Sequence, residues 1–299
     1  MKYERAAVHS GSWYTDSNAD LSEELLNYIE SSTTPVSPST KAIISPHAGF
    51  SYSGSTGGSA FSALKDRLDN SMLPSLRLII VLHPSHKVYL DGAAISNASI
   101  LETPISDLSV CDETRRDLLK HSIFSTMDKQ TDESEHSGEM QYPFIAQVLG
   151  LKSSVKVLPI MVGSVGSEKE RVLASKLLSL FDDPSTFFVV SSDFCHWGER
   201  FDFNPHDKSK GKIHEYIKWL DSIGMDKIKL QEPGAFAEYL REYKNTICGR
   251  HPIGVLMNLL DLSETSFEVN FTKYEQSSKV VKKNDSSVSY AAGVVTMVE

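Results

Sequence analysis

The sequence predicts an α/β fold, a single domain in which helices flank a central, mostly parallel or mixed sheet. Short apolar runs alternate with amphipathic stretches along the 299 residues, which is typical of helices that cross between parallel strands. The strongest apolar runs have no polar face, as expected for strands buried on both sides. No stretch has the composition of a linker, so we expect one domain over residues 1–299.

The elements follow from local patterns, in chain order. A helix is predicted over 19–31 from apolar residues at helical spacing, and a Ser-, Thr- and Pro-rich loop over 32–40. The helix over 57–66 is expected to join the first two strands in a parallel crossover. Strands are predicted over 42–45, 78–82, 93–96, 155–162, 187–190, 267–271 and 287–292. Other helices are predicted over 114–121, 139–149, 168–181, 213–224, 233–244 and 254–262.

Composition excludes several classes of protein. A net charge of −9 and a pI near 5.6 argue against a nucleic-acid partner. No apolar stretch reaches the length of a membrane span, and the first residues lack the apolar core of a signal peptide. Three cysteines are too few for a disulfide framework. We therefore expect no membrane insertion and a cytoplasmic location, with the nucleus as a second compartment.

Three predicted strands run directly into turns that carry histidine. In open α/β sheets ligands bind beyond the carboxyl ends of the strands, so these turns predict one site assembled from distant parts of the chain. The turns are Pro46-His47-Ala48-Gly49, His83-Pro84-Ser85-His86 and Ser191-Ser192-Asp193-Phe194-Cys195-His196.

The third turn has the most side chains that could take part in metal binding or catalysis. Asp193 beside His196 favours a carboxylate that fixes the tautomer of an imidazole, as in metal and acid-base sites. The alternative is a polar network that only stabilises the turn.

Cys248 precedes the predicted helix over 254–262, and a helix N-terminus favours the thiolate, which is a metal ligand or a nucleophile. Arg250 can pair with an anion at the same place. His136 lies in a fourth polar cluster, Glu135-His136-Ser137-Gly138-Glu139. Metal ligation by His136 and capping of the next helix by Ser137 both remain open.

Taken together, these motifs closely resemble those of the Memo family, a family named for a mediator of receptor-driven cell motility. The resemblance runs from about the tenth residue to the C-terminus. It is carried by residues 9–14 (HSGSWY), 45–49 (SPHAG), 84–86 (PSH), 135–137 (EHS), 191–198 (SSDFCHWG), 245–254 (NTICGRHPIG) and 285–293 (DSSVSYAAG).

The resemblance implies a fold similar to that of class III extradiol dioxygenases, which use non-haem iron. It implies an iron or copper ion held by His47, His86 and Cys248, with Asp193 and His196 in catalytic roles. The dioxygenases have a carboxylate where this chain has Cys248, which argues against ring cleavage and favours softer ions. Contacts with a substrate or a phosphate are expected from Trp13, His136, Arg250 and His251.

Three functions follow from these expectations. The first is metal-dependent oxidation-reduction of a small aromatic or redox substrate, linked to signalling, cell motility, the cytoskeleton or morphological growth. The second is a non-enzymatic adaptor whose crevice binds phosphotyrosine-containing proteins. The third is a hydrolase with Cys248 as nucleophile and His196 as base.

Overall fold

A large mixed sheet forms the centre of the protein in a computed structural model that describes residues 2–32, 37–70, 73–151 and 154–298. The strands of this part of the chain are β1 (Tyr3–Arg5), β2 (Thr40–Ser45), β3 (Leu78–Pro84), β4 (Ala93–Ile95), β5 (Ala98–Leu101), β6 (Leu108–Ser109), β7 (Phe124–Thr126), β8 (Lys156–Val162), β9 (Thr186–Ser191), β10 (His196–Trp197), β11 (Phe267–Gln276) and β12 (Ser287–Met297). Its α-helices are α1 (Asn18–Glu30), α2 (Phe50–Asn70), α3 (Asp112–Leu118), α4 (Lys129–Ser134), α5 (His136–Glu139), α6 (Tyr142–Leu149), α7 (Ser167–Asp182), α8 (Ile213–Lys229), α9 (Pro233–Tyr243) and α10 (Arg250–Leu262).

The strand order of the large sheet is β10-β12-β2-β9-β3-β8-β4-β7, and β11 pairs with β12. Strands β2, β9, β3 and β8 run parallel, whereas β12 and β4 are antiparallel to β2 and β8. Every residue of β2, β3 and β9 is buried, as the absence of a polar face in the sequence predicts. The α/β fold with a mixed central sheet is confirmed.

The predicted crossover through α2 is present, but β9 lies between the two strands that it joins. Helix α2 also extends well beyond 57–66 at both ends. Its first turns contain Ser53, Gly54, Gly57 and Gly58, which are poor helix formers, yet all four are buried. Packing of these small residues against neighbouring elements outweighs their low propensity.

Other differences have local causes. The stretch over 139–149 is divided between α5 and α6, because Pro143 occupies the first turn of α6. Strands β11 and β12 are longer than predicted, since they form an antiparallel pair with each other. Residues 33–36 of the predicted loop lie outside the described residues. Among those described, no helix has the length and apolar composition needed to cross a bilayer.

Lys41 is a buried cation on β2. Its side chain is 3% exposed, and its ammonium donates hydrogen bonds to the carbonyl oxygens of Asp183 and Thr186. Burial lowers the pKa of Lys41 from 10.5 to about 7. Between these two values the unfolded chain keeps a proton that the folded protein releases, so this group makes stability rise with pH.

We expect Lys41→Met to remove this dependence. As pH rises from 7, the free energy of unfolding of the unaltered protein should increase relative to that of the variant. The increase should be at most about 1.4 kcal/mol per pH unit. Urea denaturation of both proteins at pH 7, 8 and 9 measures the difference. A difference that stays constant over this range would contradict the prediction.

Candidate metal centre

The ends of β2, β3 and β9 bring their turns to one edge of the sheet. Ser45 at the end of β2 pairs with Ser191 at the end of β9, and β3 is the other neighbour of β9. The turns that follow these strands, with His47, His86 and Asp193, therefore meet.

Three imidazoles cluster at this edge. One ring nitrogen from each of His47, His86 and His136 lies within 4.8 Å of the other two. The ring centroids of His47 and His86 are 5.2 Å apart, and those of His86 and His136 are 4.7 Å apart. His136, expected among the substrate contacts, thus lies close enough to share an ion with two predicted ligands.

Cys248 adds a sulfur to the cluster. Its Sγ lies 3.0 Å from Nε2 of His47 and accepts a hydrogen bond from the backbone N–H of Asp193 at 3.2 Å. The next residue, Gly249, allows this approach, because a Cβ there would lie 2.4 Å from Cβ of Ser192. The lack of a side chain at Gly249 lets the start of α10 press against the end of β9.

A hydrogen-bonded serine sets the tautomer of His47. Ser191 Oγ donates its one hydrogen to the carbonyl of Ser137 at 2.7 Å, so Nδ1 of His47, 2.8 Å from the same oxygen, must be the donor. Nε2 of His47 is then unprotonated and faces Cys248. Burial lowers the pKa of His47 well below 6.5 and that of His136 to about 3, so both rings are neutral at pH 7.

Glu135 holds His86 in place, a role that sequence reasoning missed. Its carboxylate accepts hydrogen bonds from the backbone N–H of His86 at 2.6 Å and from Nδ1 of the same residue at 2.8 Å. Burial tends to raise the pKa of Glu135, but the hydrogen bonds and charge of His86 outweigh it and hold that pKa well below its usual value. Glu135, rather than Ser137, also caps α5.

The pKa of the Cys248 thiol is not lowered as its position before α10 suggested. Burial raises the pKa of its thiol well above the usual value, and the neighbouring carboxyl of Asp193 raises it further. The field of a helix N-terminus is too weak to offset this desolvation. A bound cation is the kind of compensation that would favour the thiolate here.

Asp193 and His196 do not form the pair that their spacing suggested. Asp193 Oδ1 accepts a hydrogen bond from the backbone N–H of His47 at 2.8 Å, and burial raises the pKa of Asp193 to about 7. Nδ1 of His196 lies instead 2.9 Å from the carbonyl oxygen of Phe194. That carbonyl fixes the tautomer of His196 and leaves Nε2 as a proton acceptor.

A crevice of about 320 Å³ opens beside these groups, and His86, His196, Cys248, Arg250 and His251 contribute to its wall. The Arg250 guanidinium donates a hydrogen bond to the carbonyl of Ile247 at 3.3 Å. Nδ1 of His251 pairs with Glu170 at 2.8 Å.

On the other flank of the cluster, the ring of Trp13 lies 4.5 Å from that of His136. The four expected substrate contacts thus fall into two groups. Arg250 and His251 line the crevice, whereas Trp13 and His136 lie together beside the other imidazoles.

Fold and site together define an α/β protein with a histidine- and cysteine-containing crevice at the carboxyl edge of a mixed sheet. A family model described as Memo-like protein matches residues 5–294. The chain belongs to this Memo-like family.

Curated relatives agree with this assignment over nearly the whole chain. Protein MEMO1 of Homo sapiens is 41% identical over 300 residues, covering 98% of this chain and 97% of the relative. Protein memo-1 homolog of Caenorhabditis elegans is 39% identical over 299 residues, covering 98% and 83%. Uncharacterized protein JW3007 of Escherichia coli K12 shares the fold, with a TM-score of 0.50 and 11% identity over 84% of this chain and 99% of its own.

Proposed function

We propose that the protein binds one iron or copper ion through His47, His86 and Cys248, with His136 as a further donor, and acts in metal-dependent oxidation-reduction linked to signalling and cell motility. The observation that carries the proposal is the meeting of three imidazoles within 4.8 Å, with a thiol 3.0 Å from one of them. Membership of the Memo-like family supports the link to signalling, through the resemblance described above.

The chemistry of the donors fits such an ion. His47 and His86 each have Nδ1 engaged in a hydrogen bond, as metal-bound imidazoles do, and Nε2 of His47 faces the Cys248 sulfur. Imidazole suits iron and copper, and thiolate adds a preference for softer ions. The sulfur of Cys248 in place of a carboxylate argues against ring cleavage and favours electron transfer.

When bound, the ion would supply one-electron exchange between a reductant and oxygen. The residues of the chain handle the protons: Cys248 must lose its thiol proton to bind the ion. Burial lowers the pKa of His196 below its usual 6.5, so its ring is neutral at pH 7. Nε2 of His196 can then accept a proton from a hydroxyl group held in the crevice.

Elemental analysis of anaerobically purified protein, with oxygen uptake in the presence of ascorbate or a catechol, tests this function. We expect stoichiometric iron or copper, and uptake that His196→Gln slows by about 10²–10⁴-fold without loss of metal. Protein that neither retains nor takes up either ion, or that consumes no oxygen when loaded, would contradict the proposal.

The second candidate is an adaptor that binds phosphotyrosine peptides in the same crevice. Within the described residues no carboxylate lies within ion-pairing distance of Arg250, and a guanidinium matches the geometry of a phosphate. Peptide affinity that is equal with and without metal, and is lost in Arg250→Ala, would favour the adaptor.

The hydrolase is the weakest of the three candidates. The imidazole hydrogen-bonded to Cys248 is His47 rather than His196, and burial raises the pKa of the thiol. The first feature rules out His196 as the base in contact with the thiol, and the second reduces the fraction of reactive thiolate. Alkylation of Cys248 that abolishes turnover while the metal stays bound would favour it.

A further inference from the structure

A serine, a histidine and a glutamate form a connected series at the wall of the crevice. Oγ of Ser164 lies 3.4 Å from Nε2 of His251, and Nδ1 of the same ring lies 2.8 Å from Oε1 of Glu170. This order of hydroxyl, imidazole and carboxylate is that of a hydrolytic triad. The distance between the serine and the histidine is longer than that of an ordinary hydrogen bond, as is common for catalytic pairs before substrate binds.

Glu170 fixes the ring of His251 in the state that a base requires. A carboxylate can only accept, so Nδ1 of His251 donates to it, and in the neutral ring Nε2 is left to accept the hydroxyl proton of Ser164. Gly254, about one turn further along α10, makes room for this carboxylate, because a Cβ there would lie 2.5 Å from Oε2 of Glu170. The ion pair therefore depends on the close approach of α7 and α10.

Ser164 is open to a substrate. It lies just beyond the carboxyl end of β8, where Gly163 lets the chain pass Leu90, since a Cβ at Gly163 would overlap the carbonyl oxygen of Leu90. Its side chain is exposed, and it lines the crevice together with His251. A molecule that enters the crevice can thus reach both the hydroxyl and the imidazole.

Two other serine–histidine contacts in the described residues lack these properties. Ser191 lies beside His47 and Ser137 beside His83, but both serines are fully buried. Ser191 also donates its hydrogen to a backbone carbonyl. Ser164, by contrast, makes no other hydrogen bond within the described residues, so its hydrogen is available to the imidazole.

A larger cavity adjoins the triad, and we call it the side chamber. Its volume is about 600 Å³, and its wall includes Glu170, His251 and the residues that directly follow Ser164. Two of these, Val165 and Gly166, have backbone N–H groups that donate to no group in the described part of the chain. Free N–H groups directly after a nucleophile, at the start of a helix, are the usual donors to the oxyanion of acyl transfer.

Part of the wall of the side chamber is apolar. Pro233, Ala237 and Leu240, all from α9, contribute partly exposed side chains. A wall of this kind favours a hydrocarbon group over a charged one.

We propose that the protein hydrolyses a small carboxylic ester with a short apolar acyl group. Ser164 is the nucleophile, His251 is the base, Glu170 is a positioning residue, and the side chamber holds the acyl group. This activity is separate from the metal-dependent function proposed above and from a hydrolase based on Cys248.

The reaction requires water as its only co-reactant. Oγ of Ser164 attacks the carbonyl carbon of the ester, and its proton passes to Nε2 of His251. The bond from that carbon to the alcohol oxygen breaks, and His251 gives the proton to the departing oxygen, which leaves the acyl group on Ser164. Water then attacks the acyl carbon and loses a proton to His251, and the acid is released as Ser164 regains its hydrogen.

Hydrolysis of p-nitrophenyl butyrate, measured before and after treatment of the protein with a chelator, tests the proposal. We expect the same rate in both cases. Ser164→Ala and His251→Gln should each lower kcat/KM by about 10³-fold or more, because each removes a reacting group. Ser175→Ala, at an exposed serine of α7 outside both cavities, is the matched control and should hydrolyse the ester as the unaltered protein does.

Two further measurements separate the roles of the residues. Glu170→Gln should lower kcat by about 10²-fold or more with KM unchanged, since it alters the orientation of the ring and not the binding of the ester. The butyrate should have a higher kcat/KM than p-nitrophenyl acetate, because its longer acyl chain fills more of the side chamber.

A fluorophosphonate probe identifies the nucleophile directly, since peptide mapping should find its adduct on Ser164. The proposal is overturned if hydrolysis does not exceed the uncatalysed rate, if the chelator abolishes it, if Ser164→Ala retains it, or if the adduct lies on another residue. A higher KM without loss of kcat in Glu170→Gln would overturn the role of the carboxylate. Equal kcat/KM values for the two esters would overturn the placement of the acyl group.

Discussion

Replacing Arg5 with leucine is expected to lower the free energy of unfolding by about 3–5 kcal/mol, because it leaves two buried carboxylates without their cation. Arg5 is 1% exposed, and it pairs with Asp132 at 3.0 Å and with Glu139 at 2.7 Å. The same guanidinium donates to the carbonyls of Asp132 and Glu135. Leucine keeps apolar volume but satisfies none of these acceptors.

Urea denaturation measures this effect, and Arg116→Leu is the matched control. The Arg116 side chain is 71% exposed and lies 3.8 Å from Asp112. Its loss should change stability by no more than about 0.5 kcal/mol. An Arg5→Leu variant as stable as this control would show that the buried cluster contributes nothing.

The second large effect concerns metal retention. His86→Ala and Cys248→Ser should each reduce iron or copper below detection, since each removes a donor atom. Glu135→Gln should weaken binding about 10–100-fold, because a glutamine amide cannot accept all the hydrogen bonds that orient His86.

Anaerobic competition with a chromophoric chelator measures these affinities. His121→Ala, at an exposed histidine outside the crevice, is the control and should bind metal as the unaltered protein does. If His86→Ala kept full affinity, the proposed ligand set would be wrong.

The buried strands were the most predictable part of the fold. Each of β2, β3 and β9 contains an uninterrupted apolar run, and that property is local. Strands β1, β5, β6, β7 and β10 contain two to four residues each and were not predicted. A stretch this short has no measurable periodicity, and its pairing depends on distant partners.

The residues that meet at the strand ends were more predictable than the contacts that hold them in place. Turns after buried strands indicated His47 and His86, and the family motif indicated Cys248. Glu135 was missed, although its place directly before His136 was a usable signal, because its partner His86 lies 49 residues away. The raised pKa of the Cys248 thiol was not predictable for the same reason, since burial depends on the whole fold.

The span between the donor atoms has a consequence of its own. His47 and Cys248 are 201 residues apart along the chain, yet their side chains touch. An ion held by both would act as a reversible cross-link. Because it would bind the folded chain alone, it would stabilise the fold more as the concentration of free ion rises. The cellular lifetime of the protein would then follow the local supply of metal.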